Sequence, residues 1–426
     1  MLEADPLTLF GPATQAWFRG AFGAPTAAQA QGWPAITAGR HTLICAPTGS
    51  GKTLAAFLWC LDRLGAEVRP ADPLAALRVL YVSPLKALVH DVERNLRAPL
   101  HGLTLAAQGL GLPEPHIRVG MRTGDTPADE RRAFGKHPPD ILVTTPESLF
   151  LILTSQARDA LRNVRWVIVD EIHALAGTKR GAHLALSLER LDALAHTAPQ
   201  RIGLSATQRP LEAVAAYLGG REPSRTAAAT ATPGTSRPVT IVDAGVRKPL
   251  ELQVVVPVDD MSRIGEAIPL DEQPGGPAAG PEARTSIWPA IHPRILELIR
   301  AHRSTIVFVN SRALAERLAH RLNALAGEEL VRAHHGSLAR EQRVEIEEAL
   351  KAGRLPALVA TSSLELGIDI GHVDLVCQIA TPRSISALVQ RVGRSGHAVG
   401  GLPKGRLFPL SRDDLVECAA LLDAVR

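Results

Sequence analysis

Aromatic side chains are scarce. Phe, Trp and Tyr together make up 4% of the 426 residues. That excludes an extended platform of rings on which bases could stack. Cysteine is scarcer, with Cys45, Cys60, Cys377 and Cys418 the only examples. None forms a Cys-x-x-Cys pair, which argues against a zinc site or a disulfide framework, and leaves the thiols as small apolar groups. His334-His335-Gly336 lacks partner ligands at metal-binding spacing. No apolar run approaches the length of a membrane span. The first residues, Met1-Leu-Glu-Ala-Asp5, are acidic where a secretory leader would be basic. A cytoplasmic location with no membrane partner is expected. Lys and Arg number 47 against 43 Asp and Glu, a net charge of only +4, which permits a polyanionic partner without demanding one.

A chain of this length suggests more than one core. In its first half, apolar strands alternate with helical patterns: Thr42–Cys45, Arg78–Ser83, Ile141–Thr145, Trp166–Asp170 and Ile202–Ser205. Leu184, Leu188 and Leu191 recur at helical spacing and share one face. Buried strands alternating with helices predict a parallel α/β sheet, whose ligands bind outside the carboxyl ends of the strands. From Glu222 to Pro238 the chain is rich in Ala, Thr, Ser, Gly and Pro and reads as a linker. Two strands follow, Val239–Val242 and Leu250–Val256, then a polar segment near 259–287 expected to be a mobile insertion. The rhythm resumes at Thr305–Asn310, Leu330–His334, Leu358–Thr361 and Leu375–Ile379. The expected organisation is a first α/β domain over 1–221, a linker over 222–238 and a second α/β domain over 239–426.

The run Ala46-Pro-Thr-Gly-Ser-Gly-Lys-Thr53 lies between a strand and the helical Leu54–Leu61. That is the setting a phosphate-binding loop requires. Gly49 and Gly51 let the backbone turn several N–H groups, with those of Thr48 and Ser50, onto one anion. The helix N-terminus adds partial positive charge. Lys52 can reach terminal phosphates, and the Thr53 hydroxyl can hold Mg²⁺. The first position, usually Gly, is Ala46. Further on, Asp170 and Glu171 end an apolar strand. Two adjacent carboxylates there suit nucleotide hydrolysis: Asp170 as a metal ligand and Glu171 as the base that orients water. Near the far end, Arg391 and Arg394 stand three apart in Val389-Gln-Arg-Val-Gly-Arg-Ser-Gly-His397 and can stabilise transition-state charge.

Together with Ser205-Ala-Thr207 and Ala360-Thr-Ser-Ser-Leu-Glu-Leu-Gly-Ile-Asp369, these motifs make the chain resemble the superfamily 2 helicases of DEAD/DEAH-box type over nearly its whole length. The box Asp170-Glu-Ile-His173, Ser83-Pro-Leu-Lys-Ala-Leu88, Arg122-Thr-Gly-Asp-Thr126 and Thr145-Pro-Glu-Ser148 are similar to the large helicase-related (Lhr) family. So are Arg237–Gly245 and Gln390–His397. The resemblance implies two RecA-like domains with ATP and Mg²⁺ in the cleft between them. Gln29, in Phe22-Gly-Ala-Pro-Thr-Ala-Ala-Gln29, looks like the adenine contact, while Pro25-Thr26 also reads as a helix start. Gly367 and Asp369 would meet the nucleotide from the second domain. Arg394 would be an arginine finger, assisted by Arg391 or by His397, which stands where DEAD-box relatives carry Arg.

The resemblance further implies a 3′-to-5′ translocase on single-stranded DNA that unwinds DNA or RNA:DNA duplexes. An RNA helicase and a nucleotide-gated binding fragment are the alternatives. Ser83, Lys86, Thr123 and Thr145 of the first domain, with Asn310, Ser311, Arg312, Thr361 and Ser362 of the second, would line the strand. Hydroxyls, amides and a few cations suit sugar–phosphate contacts. Ser205, Thr207 and His173 would couple the two sites. Members of this family continue past the last motif, so further C-terminal domains are expected to complete the DNA-binding surface. In a bacterium the location would be the nucleoid.

Overall fold

The computed structural model describes residues 5–47, 49–206, 210–222, 235–245, 249–261, 264, 286–365, 370–382, 384–396 and 401–425. They form two compact units, Met1–Val246 and Arg247–Arg426. Among the described residues no helix is long and apolar enough to cross a membrane.

The first unit is built on a seven-stranded sheet. Its strands are β1 (Thr42–Cys45), β2 (Val79–Val82), β3 (Val119–Arg122), β4 (Ile141–Thr144), β5 (Trp166–Val169), β6 (Gln200–Ser205) and β7 (Thr240–Asp243). The order is β3-β4-β2-β5-β6-β1-β7, and the neighbours pair in parallel. β1, β2, β4, β5 and β6 are buried along their whole length. This is why they read as unbroken Val/Ile/Leu runs rather than alternating ones. Helices α3 (Lys52–Ala66) and α7 (Lys179–Leu194) cover opposite faces: residues of α3 pack with Ile44 and Ile168, and Leu184, Leu188 and Leu191 of α7 with Leu43 and Val169. The scarce aromatics gather at the N-terminus, where Phe10, Phe18, Trp33 and Trp59 form an apolar cluster with Leu58 of α3.

The second unit holds a six-stranded parallel sheet of order β10-β11-β9-β12-β13-β8. These strands are β8 (Glu251–Val254), β9 (Thr305–Phe308), β10 (Val331–His334), β11 (Ala357–Ala360), β12 (Leu375–Ile379) and β13 (Lys404–Phe408). All four cysteines are free and buried. Burial pushes the thiols of Cys377 and Cys418 up to about 12, so they pack as apolar groups.

Two expectations about organisation need correction. The segment 222–238 is not the passage between units. Glu222 N–H donates to Thr235 O (2.9 Å) and Arg237 N–H to Gly220 O (3.1 Å), so the chain returns beside its point of departure. The Arg237 guanidinium then binds Glu189, which also holds the fully buried Arg201. The second correction concerns β7, expected to open the second domain. It pairs in register with β1, Leu43 opposite Ile241, and forms the outer edge of the first sheet. β1 would otherwise have unpaired backbone groups on that side. β3 and β13 carried no apolar run to reveal them. Of the segment near 259–287, residues 262–263 and 265–285 lie outside the described residues, while Met261 and Ile287 at its ends are buried in the second core.

Candidate nucleotide and strand sites

In the first unit the chemistry gathers at the carboxyl ends of three adjacent strands. β1 runs into the glycine-rich loop, β5 ends at Asp170, and β6 lies between them. Gly49 and Gly51 have φ of +77° and +78°, a region side chains avoid, and Gly51 is the residue from which α3 starts. Lys52 is buried, and its Nζ donates to Ala46 O at 2.7 Å. The ammonium is thus folded onto the loop it follows. Ser50 Oγ is buried with no hydrogen-bond partner, and Thr53 is half-buried on the first turn of α3. Gln29 supports this loop from the side. A Cβ at Gly51 would stand 2.8 Å from Gln29 Nε2. The other end of that carboxamide accepts from Thr26 N–H (2.9 Å) in a capping box that starts α2 (Ala27–Thr37). The helix-start reading of Pro25-Thr26 is therefore realised. Thr48 lies outside the described residues.

The acid pair is buried. Asp170 Oδ2 accepts from the Tyr81 hydroxyl (2.5 Å), and Oδ1 accepts from Glu171 N–H (2.9 Å). Burial, and next the neighbouring Glu171 charge, push Asp170 up to about 7, against the pull of the Tyr81 hydrogen bond and the Lys52 charge. Tyr81 is itself raised well above its usual value by burial and by Asp170. Glu171 sits at φ +43°, one of two residues other than glycine with positive φ among those described. Such backbone strain clusters at functional sites. Its Oε2 is buried without a hydrogen-bond partner, with His173 Nδ1 3.5 Å away. That Nδ1 accepts from Ala206 N–H (3.3 Å) and lies 3.3 Å from Ser205 Oγ. His173 thus ties the acid pair to Ser205 and Ala206 at the end of β6. Thr207 lies outside the described residues.

Mg²⁺ suits these groups. A carboxyl held near neutrality by burial beside a second carboxylate is a place where a divalent cation restores the ionised form. Sequence reasoning missed Tyr81. Its signal was a lone hydroxyl in the otherwise apolar Val79-Leu-Tyr-Val82, which once buried needs a partner.

The expected strand contacts of the first unit are mostly corrected. Ser83 is wholly buried and its Oγ has no partner. Thr123 and Thr145 are also buried, Thr123 Oγ1 accepting from Asp125 N–H (3.2 Å) and Thr145 Oγ1 donating to Ser148 Oγ (3.2 Å). Thr123 and Thr145 thus spend their hydroxyls on local bonds beside the strand ends. Lys86 does reach the surface, where its Nζ meets Asp125 Oδ1 at 2.6 Å.

In the second unit Asn310, Ser311, Arg312 and Ser362 are exposed and Thr361 half-buried. Asn310, Ser311 and Arg312 follow β9, and Thr361 and Ser362 follow the adjacent β11. Ser311 caps α10 (Arg312–Ala326), and Arg312 Nη1 donates to Ser337 Oγ (2.6 Å). Arg391 departs from its expected role. It is buried, with Nη2 and Nε on Glu365 Oε2 (2.7 and 3.0 Å) and Nη1 on Gln378 Oε1 (2.7 Å). A guanidinium so engaged is a structural tie, not a finger reaching outward. Arg394 Nη2 donates to the Glu365 carbonyl (3.0 Å). Gly367, Asp369 and His397 lie outside the described residues.

Comparison with known proteins agrees with this geometry. Residues 26–214 match the DEAD/DEAH box helicase model and residues 291–399 the helicase conserved C-terminal domain. The chain is 50% identical to the Lhr helicase/probable uracil glycosylase of Mycolicibacterium smegmatis, over 99% of this chain and 28% of that protein. It is 42% identical to the ATP-dependent helicase Lhr-Core of Methanothermobacter thermautotrophicus, over 97% of this chain and 45% of that one. The chain thus spans less than half the length of these relatives. Among solved structures, Mycobacterium smegmatis helicase Lhr bound to ssDNA and AMP-PNP matches with a TM-score of 0.84 and 53% identity, covering 99% of this chain and 50% of that one.

Proposed function

Because this chain belongs to the DEAD/DEAH box helicases of the Lhr type, we propose that it hydrolyses ATP to move along single-stranded DNA, 3′ to 5′, and to open DNA or RNA:DNA duplexes. The observation that carries the reading is the buried pair Asp170–Glu171 at the end of β5, with Glu171 at positive φ and Asp170 within electrostatic reach of Lys52. Support for the DNA strand comes from the Mycobacterium smegmatis relative, whose structure holds ssDNA and AMP-PNP.

In this reading the glycine-rich loop, with Thr48, Gly49, Ser50 and Gly51, cradles the phosphates, and Lys52 turns from Ala46 O towards them. Gln29 reads the base. Thr53 and Asp170 would hold Mg²⁺, which neutralises phosphate charge when bound. Glu171 orients water and takes its proton. Gly367, Asp369 and Arg394 of the second domain would meet the nucleotide, and Arg394 would stabilise charge on the transferred group. Lys86, Asn310, Ser311, Arg312, Thr361 and Ser362 hold the sugar–phosphate backbone of the strand.

The test is ATP turnover with no nucleic acid, with single-stranded DNA and with single-stranded RNA, at one fixed salt concentration. Stimulation by DNA above RNA is expected. Stronger stimulation by RNA would replace this reading with that of an RNA helicase. ATP binding without stimulation by either would leave a nucleotide-gated binder.

A further inference from the structure

We propose that a cavity at the amino ends of β2 and β5 binds a small phosphate-bearing anion, and that the Glu67 carboxylate holds its place until the anion arrives. The site goes beyond the functional reading above, which concerns the opposite, carboxyl ends of the same sheet.

The cavity measures about 310 Å³, within the range of small-ligand sites. Its cationic wall follows from sheet register. Arg78 and Arg165 immediately precede the parallel neighbours β2 and β5, and Arg165 N–H donates to Arg78 O (2.8 Å), so the two residues stand side by side. Both line the cavity, as do Arg162 and the exposed His196, whose N–H donates to Arg162 O (2.9 Å).

Glu67, the residue after α3, lies in the fork between the first two arginines. Its Oε1 accepts from Arg165 Nη1 (3.0 Å), and its Oε2 accepts from Arg78 Nη1 (3.1 Å) and from Arg165 Nη2. Burial works to raise the Glu67 carboxyl, but the bond and charge of Arg165, and next those of Arg78, hold it below its usual value. A carboxylate at a helix C-terminus opposes the helix dipole, so the arginines keep it there. The Glu67 side chain is 36% exposed and can turn to water. The cations cannot follow. Arg78 is 5% exposed, its Nη2 donates to the buried Asp140 Oδ1 (3.1 Å), and its Nε is buried with no hydrogen-bond partner. The Arg165 guanidinium lies 4.7 Å over the Trp166 ring. The positive groups are fixed, and the anion between them is the movable part.

Charge sets the ligand class. Four guanidiniums, of Arg69, Arg78, Arg162 and Arg165, face three carboxylates, of Glu67, Asp140 and Asp159. One positive charge is left over with Glu67 in place and two once it turns away. Two matches a phosphate monoester, which carries about −2 at neutral pH. A carboxylate ligand would replace Glu67 like for like. A phosphate brings a third oxygen within the scope of Arg162, which among the described residues spends only its Nε, on Asp159 (2.9 Å).

The experiment titrates inorganic phosphate, AMP and adenosine into the chain at one pH and one ionic strength. The readout is the imidazole C–H NMR signal of His196, identified by its loss in His196→Gln. Phosphate or AMP should shift the signal saturably, with half-saturation at about 1 mM or below, and adenosine should not. Saturation by both shows that free phosphate suffices, and saturation by AMP alone shows that the site takes the phosphate of a nucleotide; either result supports the site. Glu67→Gln removes the competing charge and should tighten binding about fivefold or more. Arg165→Ala should weaken it about tenfold. A signal that stays still, drifts without saturating or answers adenosine as it answers AMP would overturn the proposal. So would half-saturation unchanged in both variants, the result expected if the anion sits only on the glycine-rich loop. The thermal midpoint of Glu67→Gln reports whether Arg78, left with Asp140, still folds into place. If that midpoint falls, Arg165→Ala, altered at an exposed side chain, decides alone.

Discussion

Glu171 carries the sharpest residue-scale test. Glu171→Gln removes the base but keeps shape and hydrogen-bonding capacity, so ATP should still bind while turnover falls by about 100-fold or more. Unchanged turnover would remove Glu171 from the chemistry. Asp170 makes a prediction about pH. Its value in the fold is raised from 3.8 to about 7, chiefly by burial. A carboxyl raised by folding contributes its full stability below the unfolded value, and that contribution is lost as the pH climbs through the folded one. The nucleotide-free, metal-free protein should therefore lose stability between about pH 4 and pH 7 more steeply than Asp170→Asn. Denaturant midpoints across that range measure it, and parallel slopes would contradict the assignment. At this scale the motif residues were legible, since Lys52, Asp170 and Glu171 stand where strand, loop and box put them. Their partners were not. Tyr81 is 89 positions from Asp170 and Glu365 is 26 from Arg391, and no local pattern reports a bond across such distances.

The loop from β1 into α3 shows how one element imposes demands on another. Gly51 needs positive φ, and Gln29 of α2 fills the space a side chain would take. Gly51→Ala is expected to cost about 1–2 kcal/mol in thermal or denaturant unfolding and to weaken binding of a non-hydrolysable ATP analogue. Unaltered affinity would mean that the loop tolerates a different path. Helices and interior strands were readable because their periodicity is local. Edges and turns were harder. β3 is half-buried throughout and contains Gly120 and Arg122, so it shows no continuous apolar run. Thr123 and Thr145 look alike in sequence whether they face a ligand or bond locally, and only the folded chain shows their hydroxyls on Asp125 N–H and Ser148 Oγ.

At the scale of the molecule, each unit has its own sheet and its own core, and the boundary falls at Val246. A fragment of residues 1–246 should unfold cooperatively by itself. One ending at 221 loses β7 and the Arg237 bonds to Glu189, and should be about 2–4 kcal/mol less stable. Equal denaturant midpoints would return the boundary to the composition shift near 222. The sequence alone determined the α/β class, the phosphate loop and the acid pair, because each is written in a stretch short enough for its own residues to set backbone shape and chemistry. Tertiary structure alone assigned β7 to the first sheet, buried the strand-end hydroxyls and turned Arg391 inward onto Glu365. Those outcomes depend on which distant groups satisfy a buried hydrogen bond or charge, and only the folded chain brings those groups together.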